Sequence, residues 1–239
     1  MSTVFDPAEF TVSKAKSLPV FLLLDVSGSM NESAEGGASK IQVLNGAVKK
    51  MIDSLEAEEK METEFLVSII TFGGTAEIYR KPMSASTLNW ANMTANGSTP
   101  MGDAFSKVKN LIEDKEVIPS RAYRPTVVLV SDGEPTDKWE QPLESLINEG
   151  RSSKCFFMAM EIGQKPGIQA LERFISKTPF LAEVNEKKIP NTVFHAADAE
   201  KIHEFFRKVT MSVTTRSKSQ NPNDIPVSSN PSEDEGGYW

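Results

Sequence analysis

Three oxygen-bearing side chains follow a strongly apolar stretch near the start of the chain. Residues 18–24 are almost entirely apolar, and Asp25, Ser27 and Ser29 come next at alternate positions. Such a run is typical of a strand buried on both faces, and open α/β sheets bind ligands beyond the carboxyl ends of their strands. Because ligands that are all oxygen favour Mg²⁺, Mn²⁺ or Ca²⁺, the D-x-S-x-S pattern predicts a hard-cation site. Asp, Ser and Gly are also common turn residues, which is the alternative explanation.

Two later segments carry side chains of the same chemistry. Asp132 follows a second apolar run, 127–130, and Thr99 stands just before a helical pattern with Pro100 at its first position. Thr99 is expected at or near the cap of that helix. We therefore expect three segments to bring oxygen ligands to one edge of the sheet. The predicted metal ligands are Asp25, Ser27, Ser29, Thr99 and Asp132.

Strand and helix patterns alternate along most of the chain, which is typical of βαβ units and a mainly parallel sheet. Strands are predicted at 18–24, 65–72, 75–79, 126–130, 154–162 and 193–194, and helices at 41–55, 100–112, 139–148, 168–176 and 198–213. Ser39 and Gln42 form a capping box before the first helix. Two glycines cannot contain a crossover helix, so 75–79 is expected to pair antiparallel at the sheet edge. Residues 81–98 show no clear period and are predicted to form a loop with a short helical turn.

The composition narrows the classes of function. The chain has 239 residues and a net charge of −7, which argues against binding to nucleic acid or to anionic membrane surfaces. Its start lacks the basic and apolar segments of a secretory signal, and its apolar runs are too short to span a bilayer. The single cysteine, Cys155, lies in an apolar segment and is expected to be a buried core residue. A cytoplasmic location is the simplest interpretation.

Three regions are predicted from the composition along the chain. Residues 1–17 form an N-terminal extension, 18–213 form the α/β domain, and 214–239 form an acidic tail. From 217 onward the chain holds five serines, three prolines and three asparagines, with an acidic run at 233–235. This segment has almost nothing to bury, so we expect it to be disordered.

The order and spacing of the five oxygen ligands resemble a known pattern. The sequence is similar over about 19–213 to the von Willebrand factor A (vWA) domain, whose metal-ion-dependent adhesion site combines D-x-S-x-S, a threonine and an aspartate. The resemblance implies a doubly wound α/β fold, with a mainly parallel six-stranded sheet, one antiparallel edge strand and helices on both faces. It also implies that Ser27, Ser29 and Thr99 bind Mg²⁺, Mn²⁺ or Ca²⁺ directly, while Asp25 and Asp132 act through water. One position on the metal is then expected to accept an Asp or Glu carboxylate of a partner protein.

A narrower resemblance concerns the residue identities in and around the first and last ligand segments. Residues 26–30 and 131–137 resemble bacterial stand-alone vWA proteins of the tellurium-resistance (TerY-like) group. This resemblance implies a stress-response system and association with a PP2C-type phosphatase or a protein kinase. Some relatives carry a C-terminal metal-binding cysteine cluster, which this sequence lacks.

Two other functions remain open at this point. A Mg²⁺-dependent phosphoryl-transfer enzyme of the haloacid-dehalogenase type also places an aspartate after a first buried strand. Its second aspartate is replaced here by Ser27, and no Walker sequence or site histidine is present, so we expect no enzymatic activity. The other alternative is a metal with a purely structural role. Asp103 and Glu134 flank the ligand segments and are candidates to add acidity to the site or to hold waters there, although the first turn of a helix is also a favourable position for the Asp103 carboxylate.

Overall fold

The computed structural model describes residues 15–34, 37–59, 63–163, 167–184, 187–224 and 227–228. Its strands are β1 (Lys16–Asp25), β2 (Thr63–Gly73), β3 (Thr75–Ser84), β4 (Thr126–Ser131), β5 (Phe156–Ile162), β6 (Phe180–Val184), β7 (Lys187–Pro190), β8 (Phe194–Ala196) and β9 (Val227–Ser228). Its α-helices are α1 (Lys40–Glu58), α2 (Met101–Glu113), α3 (Glu140–Asn148), α4 (Gln169–Ile175) and α5 (Ala199–Lys218).

The main sheet has six strands in the order β3-β2-β1-β4-β5-β8. All neighbouring pairs are parallel except β2 and β3, which form an antiparallel hairpin at one edge. The hairpin turns at Gly74, whose φ of 71° lies in the left-handed region that glycine tolerates. The predicted fold class, including its single antiparallel edge strand, is confirmed.

Helices cover both faces of the sheet because the central strand β1 is apolar on both of its sides. Leu22 and Leu24 lie in a core shared with α1 and α5, whereas Phe21 and Leu23 lie in a second core shared with α2, α3 and α4. All four side chains are fully buried. This double burial explains why the strand is a continuous apolar run rather than an alternating one.

Helix α1 begins as the sequence predicts. The Ser39 side chain accepts a hydrogen bond from the backbone N–H of Gln42, and the Gln42 side chain accepts one from the backbone N–H of Ser39. This capping box satisfies two of the N–H groups that a helix start leaves without partners. The position of the first helical residue, Lys40, is thereby fixed.

Additional strand occurs in regions where the sequence predicted none. Strand β3 extends to Ser84 instead of ending at 79, because β2 is long enough to pair with it as far as Leu66. Pro82 obscured this pattern, although proline is tolerated on an edge strand. The hairpin of β6 and β7 was not predicted, and β9 pairs with β6 in a separate small sheet. Strand β7 is exposed along its length, so it lacks the alternation that would reveal a strand.

The last helix also differs from its prediction. It continues beyond 213 to Lys218, within the segment that was predicted to be a disordered tail. The reason is Arg216, which is 1% exposed and whose guanidinium lies over the ring of Phe156. The predicted disorder of 225–226 and 229–239 falls outside the described residues, as does the predicted extension over 1–14. None of the helices in the described ranges combines the length and apolar character needed to cross a membrane.

Arg216 fastens the end of α5 to the sheet through three hydrogen bonds. Its guanidinium donates to the backbone oxygens of Pro222 at 2.9 Å and Arg124 at 2.7 Å, and to Thr126 Oγ1 at 2.7 Å. Thr126 begins β4, Arg124 stands two residues before it, and Pro222 follows the helix. Although this segment is polar in composition, it contains a buried side chain that attaches the end of the helix to the rest of the fold.

Replacing Arg216 with methionine is expected to destabilise the protein by about 2–3 kcal/mol, because buried acceptors lose their donors. Urea unfolding followed by circular dichroism measures the effect. Arg207→Met, at an exposed position of the same helix, is the matched control and should change stability little. Equal unfolding midpoints for the two variants would contradict the anchoring role.

Candidate functional site

The predicted site lies where two neighbouring parallel strands end. Asp25 is the last residue of β1, and Ser131 is the last residue of β4, with Asp132 directly after it. Because β1 and β4 pair in parallel, their carboxyl ends meet at the same edge of the sheet. The topology therefore brings two acidic residues, distant in sequence, to one place.

Hydrogen bonds join four of the five predicted ligands into one network. Asp25 Oδ1 accepts from the backbone N–H of Ser27 at 2.7 Å, and Ser27 Oγ lies 3.1 Å from Ser29 Oγ. Ser29 Oγ donates to Asp132 Oδ1 at 2.7 Å. The second oxygen of Asp25 accepts from Ser131 Oγ at 2.5 Å. Every link uses an oxygen that a hard cation could also bind.

Backbone contacts position the segment that carries Thr99. The N–H of Gly28 donates to the carbonyl of Gly97 at 2.9 Å, and the N–H of Gly74 donates to the carbonyl of Ser98 at 2.8 Å. Gly97 has a φ of 77°, and a Cβ added there would lie 2.5 Å from the Cα of Gly74. Only glycine fits this close approach. Thr99, which is 6% exposed, is thereby held beside the D-x-S-x-S segment.

Thr99 lies one residue before the N-cap of α2, Pro100, so it is near the cap as predicted, but it makes no capping hydrogen bond. The carboxylate of Asp137 accepts hydrogen bonds from the backbone N–H groups of Gly102 and Asp103, at 2.9 and 3.0 Å. Thr99 instead pairs through its backbone with Thr136. Because Asp137 caps the helix from another loop, the Thr99 hydroxyl has no capping role.

The structure gives Asp103 a contact on the surface of α2. The carboxylate of Asp103 lies 3.3 Å from the ammonium of Lys107, one turn further along α2. This pair is partly exposed and typical of a helix surface. Among the hydrogen bonds and ion pairs of the described residues, we find no contact that joins Asp103 or Glu134 to the ligand network. Neither residue adds a carboxylate to that network.

Two residues of the network were not among the predicted ligands. Ser131 bonds Asp25, and its position as the last strand residue before Asp132 was a visible signal. The other residue is Lys40, whose ammonium lies 2.8 Å from Asp132 Oδ2 and 3.0 Å from Glu32 Oε2. Its signal was weaker, since a lysine at a helix start is usually solvated.

The ion pair of Lys40 and Asp132 is shielded from water. The Asp132 side chain is fully buried, and that of Lys40 is 13% exposed. Burial alone would lower the pKa of Lys40, but its hydrogen bonds to Asp132 and Glu32 outweigh this effect and raise the pKa. The lysine is therefore a firmly charged member of the site.

Burial makes the ionisation of Asp25 unfavourable. It has no exposed surface, and burial raises its pKa from the usual 3.8 to about 6. Hydrogen bonds from Ser131 and Ser27 favour the charged form and limit this rise, whereas the nearby charge of Asp132 adds to it. A cation beside Asp25 would relieve the unfavourable charge.

The donor set fits a hard cation better than a soft one. Its side chains supply hydroxyl and carboxylate oxygens alone, the chemistry that Mg²⁺, Mn²⁺ and Ca²⁺ prefer. In the described part of the chain, no group of three or more His, Cys, Asp and Glu could hold a metal ion. Any metal bound here would therefore depend on the hydroxyls of Ser27, Ser29 and Thr99.

The raised pKa of Asp25 predicts a pH-dependent effect of Asp25→Asn on metal-free protein. Above pH 6 the wild type carries a desolvated charge, so the variant should be more stable by up to about 3 kcal/mol at pH 7.5, at about 1.4 kcal/mol per pKa unit. Near pH 4 Asp25 is protonated in the folded state, and the advantage should largely vanish. Urea unfolding in EDTA at both pH values measures the difference.

The exposed Asp53, which pairs with Lys49, supplies the control for this prediction. Asp53→Asn should change stability little at either pH, because its charge is solvated. A destabilised Asp25→Asn at pH 7.5, or an equal gain at both pH values, would contradict the assignment of an unfavourable charge to Asp25.

Comparisons with known proteins agree with this architecture. Residues 20–134 match the family model described as von Willebrand factor type A domain. A search of curated proteins found no significant match. Solved structures do match this chain. Their sequence identities are low, so these matches show that the fold is shared and nothing further.

Three of these structures have TM-scores between 0.54 and 0.59. A von Willebrand factor type A protein from Catenulispora acidiphila is 20% identical, with a TM-score of 0.59 over 84% of this chain and 43% of that one. The ArnB paralog VWA2 from Sulfolobus acidocaldarius is 16% identical, with a TM-score of 0.56 over 80% and 44%. Proximal thread matrix protein 1 from the mussel byssus, solved with a zinc-occupied MIDAS motif, is 18% identical, with a TM-score of 0.54 over 85% and 47%.

The chain spans less than half the length of each of these three proteins. The family match covers the segments that hold all five predicted ligands, from β1 to the residues after β4. The structural matches extend over most of the remaining chain. Residues 20–134 therefore match the von Willebrand factor type A domain, and the chain has the vWA fold.

Proposed function

We propose that this protein is a non-enzymatic, metal-dependent interaction module that binds a carboxylate of a partner protein. vWA domains are typically modules of this kind. The observation that carries the proposal is the hydrogen-bonded network of Asp25, Ser27, Ser29 and Asp132 at the carboxyl ends of β1 and β4. The neighbouring Thr99 completes the family's ligand pattern.

The contacts of the site suggest how its ligands divide their roles. Ser27, Ser29 and Thr99 would hold a Mg²⁺-type cation directly, and Asp25 and Asp132 would act through water. Both carboxylates already accept two hydrogen bonds from the protein, which favours this outer position. The bound cation would supply a positive charge that neutral hydroxyls compensate only in part. An Asp or Glu side chain of a partner is a suitable ligand for that charge.

The same contacts argue against an enzymatic role for Asp25. A phosphoryl-transfer nucleophile needs an accessible carboxylate oxygen, whereas both oxygens of Asp25 are hydrogen bonded and the residue is fully buried. Ser27 stands where the haloacid-dehalogenase pattern has its second aspartate. Both features favour a binding role over catalysis.

The partner and the cellular setting form the finer part of the proposal. The resemblance of 131–137 to TerY-like proteins suggests a bacterial tellurium-resistance or stress-response system in the cytoplasm. A PP2C-type phosphatase and a protein kinase are then the first partners to test. The zinc-occupied motif of the mussel protein supports a metal at this place in the fold, although our proposal favours Mg²⁺ or Mn²⁺.

Isothermal titration calorimetry with Mg²⁺ and Mn²⁺ tests the metal site. The wild type should bind either ion, Asp132→Ala should bind about 10- to 100-fold more weakly, and Ser27→Ala/Ser29→Ala should show no detectable binding. The matched control is Ser54→Ala/Ser176→Ala, which removes two exposed hydroxyls far from the site in sequence and should bind like the wild type.

Further outcomes separate the alternatives. Absence of binding by the wild type, or unchanged binding by Ser27→Ala/Ser29→Ala, would contradict the metal site. A glutamate-containing peptide should bind the Mg²⁺-loaded protein and be released by EDTA, and retention in EDTA would indicate a structural metal. Hydrolysis of a phosphate ester that is lost in Asp25→Asn would instead support the enzyme alternative.

A further inference from the structure

Lys40 places a positive charge inside the network that the proposed function assigns to a metal. Its ammonium lies 2.8 Å from Asp132 Oδ2, while the other oxygen of Asp132 accepts the hydroxyl of Ser29. We propose that Lys40 is a built-in cation that shares Asp132 with the divalent metal and thereby lowers the affinity of the site for that metal. This inference rests on the proposed metal site but concerns a residue outside the ligand pattern.

The short distance between the Lys40 ammonium and the proposed metal ligands supports competition between the ammonium and the metal. Ser29, a proposed metal ligand, is hydrogen bonded to the same carboxylate that binds the ammonium. With the Asp132 side chain fully buried and that of Lys40 13% exposed, water screens little of the repulsion between ammonium and metal. Lys40 also donates a hydrogen bond to Asp132 Oδ2, an oxygen that could otherwise bind the metal. Both effects weaken metal binding.

The location of Lys40 in its helix is a second, independent observation. Lys40 is the first residue of α1, where the helix dipole disfavours a positive charge. Its backbone N–H donates to the carbonyl of Glu32 at 2.9 Å, and its ammonium bonds the Glu32 side chain, so the lysine is tied to the loop after Ser29. Contacts to Asp132 and Glu32 offset the unfavourable dipole. The lysine is thus held toward the site rather than toward solvent.

Glu32 cannot take over the role of Asp132 as the main partner. The Glu32 side chain is 69% exposed, whereas that of Asp132 is fully buried. The attraction between Lys40 and Glu32 is therefore screened by water, and the buried pair with Asp132 dominates. If a bound metal attracts the Asp132 carboxylate, the interaction between that carboxylate and the Lys40 ammonium is weakened.

Calorimetric titration of the full chain with Mn²⁺ and Mg²⁺ tests this inference. Lys40→Met should bind either ion about tenfold more tightly or better than the wild type, because the repulsive charge is removed. The matched control, Lys49→Met, removes an exposed lysine of the same helix that pairs with Asp53, and it should bind like the wild type. Thermal unfolding in EDTA establishes that each variant folds.

Lys40→Gln serves as a second variant because it keeps a hydrogen-bond donor near Asp132 while removing the charge. It should also bind more tightly than the wild type, whereas Lys40→Arg, which keeps the charge, should not. If Lys40→Met does not fold, the comparison of Lys40→Gln with Lys40→Arg decides the question. Each comparison measures affinity and requires no identified partner.

The outcomes distinguish this inference from the proposed function. Tighter binding by the uncharged variants supports the role of Lys40, and it does so even if the wild type binds no metal, which would overturn the proposed function alone. Equal affinities for the wild type and the uncharged variants would overturn the role of Lys40 and leave the metal site standing. No binding by any variant would overturn both.

Discussion

The parallel pairing of β1 with β4 is the constraint on which the site depends. It places Asp25 and Asp132 at one edge of the sheet, where Ser27 and Ser29 connect them through hydrogen bonds and Ser131 holds Asp25. Two apolar cores, one on each face, hold these strands in register. A change that separated the two strand ends would disassemble the network even if every side chain were retained.

The site carries more negative charge than its burial favours. Asp25 ionises reluctantly, with a pKa near 6, and Asp132 is compensated by Lys40. Internal hydrogen bonds and one ammonium stabilise the network, at the expense of a desolvated carboxylate. A divalent cation would therefore be a favourable addition to the network.

The sequence predicts the sheet, and the oxygen-bearing segments at the ends of β1 and β4, because those depend on local signals, namely buried apolar runs, a capping box and oxygen side chains after strands. It does not predict contacts made between distant segments. The Asp137 carboxylate, and not Thr99, binds the N–H groups at the start of α2, and Lys40 reaches Asp132 across 92 positions. Arg216 extends α5 through a composition that resembled a tail, and exposed β7 carries no periodic signal. In each case a tertiary contact, or the absence of a buried face, outweighs the local pattern.

An anomalous difference map from a crystal of the wild-type protein equilibrated with Mn²⁺ tests the central claim most directly. The account predicts one strong peak within coordination distance of Ser27 Oγ, Ser29 Oγ and Thr99 Oγ1, with Asp25 and Asp132 reached through water. A map without a peak at the ends of β1 and β4, at a concentration of Mn²⁺ that saturates binding in solution, would contradict it.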